Sequence, residues 1–263
     1  MAMTKIRKSI SILVFTIFWM GTHAQNTCKI SEGKLLGLFK ILNDGNNKSG
    51  KHEDYVKLEL ADSLIYEEFS SILLDSNSID YPFDSLKSYI TNVVSSDKRL
   101  HFISWNTMMG GTMDDCSVLA QYIGINGKIH VQNAKVKHDD MYPDQAVYFY
   151  SIVQFQPYHY LAFGHGKYGT KDFAYAVYNF KIENNELIDT NGIFYRDNGG
   201  DNILYNGYDF FKPYSRKDLE PIYDTKSKTI CYVEQNEDIK PIKHGKGKNI
   251  CFIYDGKVFR RKK

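Results

Sequence analysis

The chain has almost no charge imbalance: 33 Lys and Arg against 31 Asp and Glu leave a formal net charge of +2 over 263 residues. A nucleic-acid binder gathers a basic surplus on one face to displace counterions from phosphates. The basic cluster Arg260-Arg261-Lys262-Lys263 is a local run that reads as a solvated tail, so nucleic acid is excluded as a partner. Long apolar runs are also missing. The stretch ISILVFTIFWMG, Ile10 to Gly21, is about a dozen residues, short of the ~20 that cross a bilayer. Four cysteines are too few to build a disulfide scaffold in place of a core. No segment repeats at a fixed length, which weighs against a propeller.

Signatures of known chemistry are absent as well. His52-Glu53 begins a zinc-protease helix motif, but Val56 and Lys57 stand in the region of the second histidine. GHGKYGTK (164–171) approaches a phosphate loop, yet Thr170 precedes Lys171 and both flanks read as strands. RDNGGDN (196–202) lacks the closing glutamate of a helix-loop-helix calcium site and reads as a turn cluster. KHGKGK (243–248) reads as a basic hairpin loop. No GxSxG and no Ser-x-x-Lys context occurs. No cofactor and no metal is called for.

What is present begins with Lys5, Arg7 and Lys8, followed by the apolar run and Thr22-His23-Ala24. This is the pattern of a cleaved secretory signal over residues 1–24, so the chain is expected to be exported, periplasmic or extracellular, with no membrane span after cleavage. Removing that segment takes away three cations and no acid, moving the balance from +2 to −1. An exported chain permits disulfides among Cys28, Cys116, Cys231 and Cys251. If TICYV and NICFI are antiparallel neighbours about a centre near Pro241, Cys231 faces Cys251; Cys28 and Cys116 are then left for each other.

Periodicity divides the remainder. Leu35, Leu38, Phe39 and Leu42 fall on one helical face. Leu58, Ala61, Ile65, Phe69 and Ile72 do the same, with a strand through Val56, Leu58 and Leu60 as the alternative. Phe83, Leu86, Ile90 and Val93 suggest a third helix over Asp80–Ser95, with Pro82 near its start. From Arg99 the period becomes two. Asn126-Gly127 reads as a two-residue hairpin turn with both residues at positive φ, Asp255-Gly256 repeats the logic, and Asn184-Asn185 is a weaker case. Gln156-Pro157 and Gly164-His165-Gly166 are taken as further turns. Twenty tyrosines and sixteen phenylalanines suit strands. The expected fold is α+β: a helical subdomain over 25–98 packed on a mainly antiparallel β meander over 99–263, as a sandwich, a partly open barrel or a partial propeller.

Candidate site residues follow from this frame. Gly110-Gly111 permits a tight reversal after Trp105. Tyr148, Tyr160 and Tyr175 sit on aromatic strands whose alternation would turn some rings outward. With Trp105, Gly110 and Gly111 they would form a platform for a protein or a glycan; coverage of both sheet faces is the competing reading. Asp114, Asp115, His138 and Asp140 are the acid/base or metal set of an alternative in which the chain is a hydrolase of envelope or extracellular polymer. Cys116 would act as a nucleophile only with a histidine nearby in space. His101 and His159 share strand faces with apolar residues and read as core. A periplasmic inhibitor or immunity protein is a further alternative.

The segment Ser104-Trp105-Asn106-Thr107 with Gly110-Gly111-Thr112-Met113 resembles one found in uncharacterised exported bacterial proteins with a signal peptide, a helical start and a tyrosine-rich β half. The resemblance implies export and this two-part build. It assigns no activity and no catalytic residue.

Overall fold

The computed structural model describes residues 27–44, 52–134, 147–167, 169–170, 172–190, 192–196, 199–201, 203–209, 220–234 and 248–262. The expected signal segment 1–24, His138, Asp139, Asp140 and most of the 243–248 loop lie outside the described residues. Helix α1 covers 27–44 and helix α2 covers His52–Ile72. The strands are β1 (Ile90–Val94), β2 (Leu100–Asn106), β3 (Cys116–Ile123), β4 (Ile129–Asn133), β5 (Tyr148–Gln156), β6 (His159–Lys167), β7 (Asp172–Glu183), β8 (Glu186–Asp189), β9 (Phe194–Arg196), β10 (Gly199–Asp201), β11 (Ile203–Asp209), β12 (Ile222–Asp224), β13 (Thr229–Glu234), β14 (Lys248–Tyr254) and β15 (Phe259–Arg261).

These strands form three sheets, ordered β1-β2-β3-β4, then β11-β7-β6-β5 with β8 beside β7, then β10-β9-β15-β14-β13-β12. Every pairing is antiparallel except β15 with β9. None of the three closes into a barrel. The chain is α+β and β-rich, as its periodicity implied.

Alternation along the strands builds a stack of four layers. Ile103, Trp105 and Leu119 of the first sheet pack under the helices, against Leu35, Phe39, Ile65 and Phe69. Their neighbours Phe102, Val118 and Ala120 point the other way, against Phe149, Tyr160, Ala162, Tyr178 and Phe180 of the second sheet. The opposite face of that second sheet offers Leu161, Phe163 and Val177 to Ile230, Phe252 and Phe259 of the third. Two of the three sheets are therefore covered on both faces. This explains why β6 and β7 read as near-continuous apolar runs despite being antiparallel. Among the described residues no helix is long and apolar enough to cross a membrane.

Several local expectations are corrected. The helix over Asp80–Ser95 does not form; Phe83 takes a left-handed φ of 48° ahead of a short 3₁₀ turn, and Ile90–Val94 becomes β1, paired Ile90↔Trp105 through Val94↔His101. Thr91, Val93 and Val94 are β-branched, and an edge of the first sheet was open to them. At Asn126-Gly127 only Gly127 has positive φ, 75°; Gly127 N–H bonds Gly124 O at 3.0 Å, a turn ending in a left-handed glycine, not a two-residue loop. Asn184 and Asn185, at 50° and 66°, make the two-residue hairpin instead. Gly164-His165-Gly166 is no turn but lies inside β6, paired with Ala176, Tyr175 and Ala174.

Cys231 and Cys251 are directly opposite in the β13–β14 ladder and form a disulfide. Cys28 and Cys116 do not pair. Cys28 lies near Asp75, where the Gln121 amide also reaches the Asp75 carbonyl at 3.2 Å. Cys116 is five positions back along β3, roughly 17 Å by the strand rise, far beyond the ~7 Å limit for Cα atoms in a disulfide.

Candidate functional site

The segment 106–116 connects β2 to β3, and its composition explains its shape. Thr107 N–H donates to Asp115 O at 2.8 Å, and the Thr107 hydroxyl donates to the Asp115 carboxylate at 2.9 Å, closing the neck of the loop. Asn106 Oδ1 accepts from Met108 N–H at 2.7 Å, and the Asn106 amide donates to Asp114 Oδ1 at 3.1 Å. Asp114 N–H reaches across to Lys167 O at 2.9 Å, docking the loop on the end of β6. Asp114 and Asp115 of the hydrolase alternative are thus engaged in holding the loop. Among the described residues no group of three or more His, Cys, Asp or Glu could hold a metal.

Gly110 and Gly111 serve the same loop. A Cβ on Gly110 would run into the Met113 carbonyl and stand 2.9 Å from Asp115 N, so only glycine fits; Gly111 has φ +64°. Gly110→Ala is expected to cost about 1–3 kcal/mol through forced backbone movement. Chemical denaturation would measure that loss, and an unchanged midpoint would show that the loop is not held as described.

The aromatic platform is corrected by burial. Trp105 is 0% exposed, Tyr160 0% and Tyr175 2%. Trp105 lies between Phe39 and Phe69, and its Nε1–H donates to Asp62 Oδ1 at 2.6 Å. Tyr160 donates its hydroxyl to Asp97 Oδ2 at 2.9 Å between the first and second sheets. These rings are core, because helices or a sheet cover each face they point from. Tyr148 alone of the proposed aromatic set stays half-buried.

Tyr148 opens onto a cleft that the sequence did not single out. It lies at the seam where the C-terminal turn of α1, the 87–91 segment, the 106–108 loop and the start of β5 meet, with a volume of about 520 Å³. Phe39, Leu42, Tyr89 and Met108 supply apolar walls; Asn43, Ser88, Thr91, Asn106, Tyr148 and His165 supply polar edges. Lys87 is the lone cation of its lining, paired with Asp84 at 2.6 Å in solvent, and no carboxylate lines it. Met108 adopts φ +63°, a left-handed conformation that is unusual outside glycine and often marks functional positions.

Hydrogen bonds organise the floor beside this cleft. The Tyr148 hydroxyl is bonded to the Cys116 thiol and to the Asn106 amide. Burial above all, and then Cys116, push its phenol far above the ordinary value, so it stays a neutral donor. The Tyr148 and His165 rings lie 5.7 Å apart, centroid to centroid. The Thr91 hydroxyl has no hydrogen-bond partner among the described residues although it is shut off from bulk solvent. The convergence of Asn106, Thr91 and His165 escaped the sequence reading, which placed His165 in a turn and did not name Thr91, because it depends on β1 and on the β2–β3 loop reaching β6. The Asn106-Thr107 pair before Gly-Gly was the one local signal.

No protein-family model, no curated protein and no solved structure matches this chain.

Proposed function

We propose that the chain is an exported, non-catalytic binding protein whose seam cleft takes a glycan unit. The observation carrying this reading is the lining of the cleft, which sets the Tyr89 ring and Met108 beside the polar side chains of Ser88, Asn106 and Tyr148 with no carboxylate. Sugar rings present an apolar C–H face and a rim of hydroxyls. Tyr89 and Met108 suit the first; Asn106 and Ser88 suit the second. The ion pair on Lys87 is exposed and weak, so the cleft favours a neutral or weakly anionic sugar. A cleft of about 520 Å³ suits one or two rings, whereas a protein partner would need a broad flat patch. Asp114 and Asp115, named for the hydrolase alternative, accept hydrogen bonds from Asn106 and Thr107 within the loop.

The test is an oligosaccharide array probed with the exported chain, followed by titration calorimetry on any hit. Ser88 is exposed and lines the cleft, so Ser88→Trp fills it without touching the core. Binding is expected to fall at least about tenfold, roughly 1.4 kcal/mol, in Ser88→Trp. An array without hits, or affinity that survives Ser88→Trp, would remove this reading.

A further inference from the structure

Of the twelve large apolar side chains exposed among the described residues, seven lie on α1, on α2 or just past its end: Ile30, Ile41, Tyr55, Val56, Leu60, Leu64 and Leu74. The remaining five are scattered singly, as is ordinary for a surface. The helices run antiparallel, since Lys34 pairs with Glu68 while Cys28 neighbours Asp75. That register brings Ile41 alongside Leu60 and Leu64. On α2, Val56, Leu60 and Leu64 recur every four residues, on the side turned away from the buried Leu58, Ala61, Ile65 and Phe69. On α1, Gly33 and Gly37 have open space where a Cβ would stand, so the surface dips between Ile30 and Ile41. The layer thus shows solvent a contiguous apolar seam with a trough beside it.

Charge is divided between the two helices. α1 exposes Lys29, Lys34 and Lys40 against one Asp44, whereas α2 exposes Glu59 and Glu67 against one Lys57. We propose that this face is the contact between two copies of this chain, related by a two-fold axis running along the helices. Each α1 then lies on the partner copy's α2. Its flanking lysines meet the outer-flank glutamates, and Ile41, Leu60 and Leu64 of both copies meet at the axis. The alternative two-fold, with like helices stacked, sets lysine on lysine and glutamate on glutamate. Two helices about 30 Å long and about 10 Å wide offer on the order of 600 Å² per copy, close to the ~800 Å² of a standard interface. The inference is independent of the seam cleft, because none of the residues it uses lines that cleft.

Sedimentation velocity on the exported chain at high micromolar concentration is expected to give twice the monomer mass. Two surface variants test the geometry, Lys29→Glu/Lys40→Glu and Glu59→Lys/Glu67→Lys. Each alone is expected to sediment as a monomer, with Tm close to that of the parent. Their equimolar mixture is expected to restore the doubled mass, since acidic α1 then faces basic α2 and basic α1 faces acidic α2. A parent that stays monomeric overturns the proposal, whether the face then meets lipid, another protein or residues 1–26. So does a mixture that stays monomeric, or a dimer that both variants preserve.

Discussion

Trp105→Ala is expected to destabilise the chain by about 3–5 kcal/mol, the usual cost of emptying a large aromatic site in a core. Trp105 is fully buried between Phe39 and Phe69, where α1, α2 and β2 meet. Its removal opens a cavity and also strips Asp62 Oδ1 of its indole donor, leaving the Ser117 hydroxyl at 3.3 Å. Tm is expected to drop by on the order of 10 °C. Trp105→Phe separates the two losses: it keeps most of the packing and forfeits the charge-assisted hydrogen bond, worth roughly 1.5–3 kcal/mol. Calorimetry on both variants checks this. Parent-like stability in Trp105→Ala, with weakened ligand binding, would instead make Trp105 the surface residue that its sequence context suggested.

The second large effect is acid sensitivity. His101 is fully buried, and burial pulls its pKa down to about 4, opposed by the hydrogen bond it makes to the Gln121 carbonyl oxygen. Its Nδ1 lies 2.8 Å from Gln121 Oε1 and its Nε2 2.6 Å from Asn92 Oδ1. The Gln121 amide is fixed in turn by donating to Leu73 O and the Ser78 hydroxyl, so the histidine ties β2 to β1, to β3 and to the segment after α2. Because the unfolded chain binds a proton near pH 6.5 and the folded chain does so only near pH 4, the folded form binds fewer protons between those values. Stability is therefore full above about pH 6.5 and falls as pH drops toward 4, by about 3 kcal/mol in total. Denaturant midpoints across pH 4–7 measure it. His101→Gln is expected to flatten most of that slope; His159, also lowered mainly by burial, leaves a smaller remainder. A parent whose midpoint does not move between pH 6.5 and 4 contradicts a neutral, buried His101.

The sequence disclosed those elements whose signal is local. The α1 and α2 stripes at spacings of three and four became the buried faces of real helices. The symmetry of TICYV and NICFI about Pro241 matched the β13–β14 register residue for residue. Failures occurred where a distant partner decides. Residues 80–95 have a helical spacing of apolar side chains, but pairing with β2 turns their second half into a strand. The tyrosines alternate as a half-exposed sheet would, yet the third sheet and the helices cover the outer faces, which no window of one strand reveals. The seam cleft was hidden for the same reason, since α1, β1, the 106–108 loop and β5 converge only after the layers stack.

Tryptophan emission tests the central claim most directly, namely that the aromatic residues fill the spaces between layers and leave the seam cleft as the recognition site. The chain has two tryptophans, Trp19 and Trp105, so a Trp19→Phe form reports on Trp105 alone. Blue-shifted emission that acrylamide barely quenches, unchanged when a cleft ligand is added, is the expected result. Red-shifted emission that is readily quenched, and then protected by ligand, would place Trp105 on the surface and contradict the layered core.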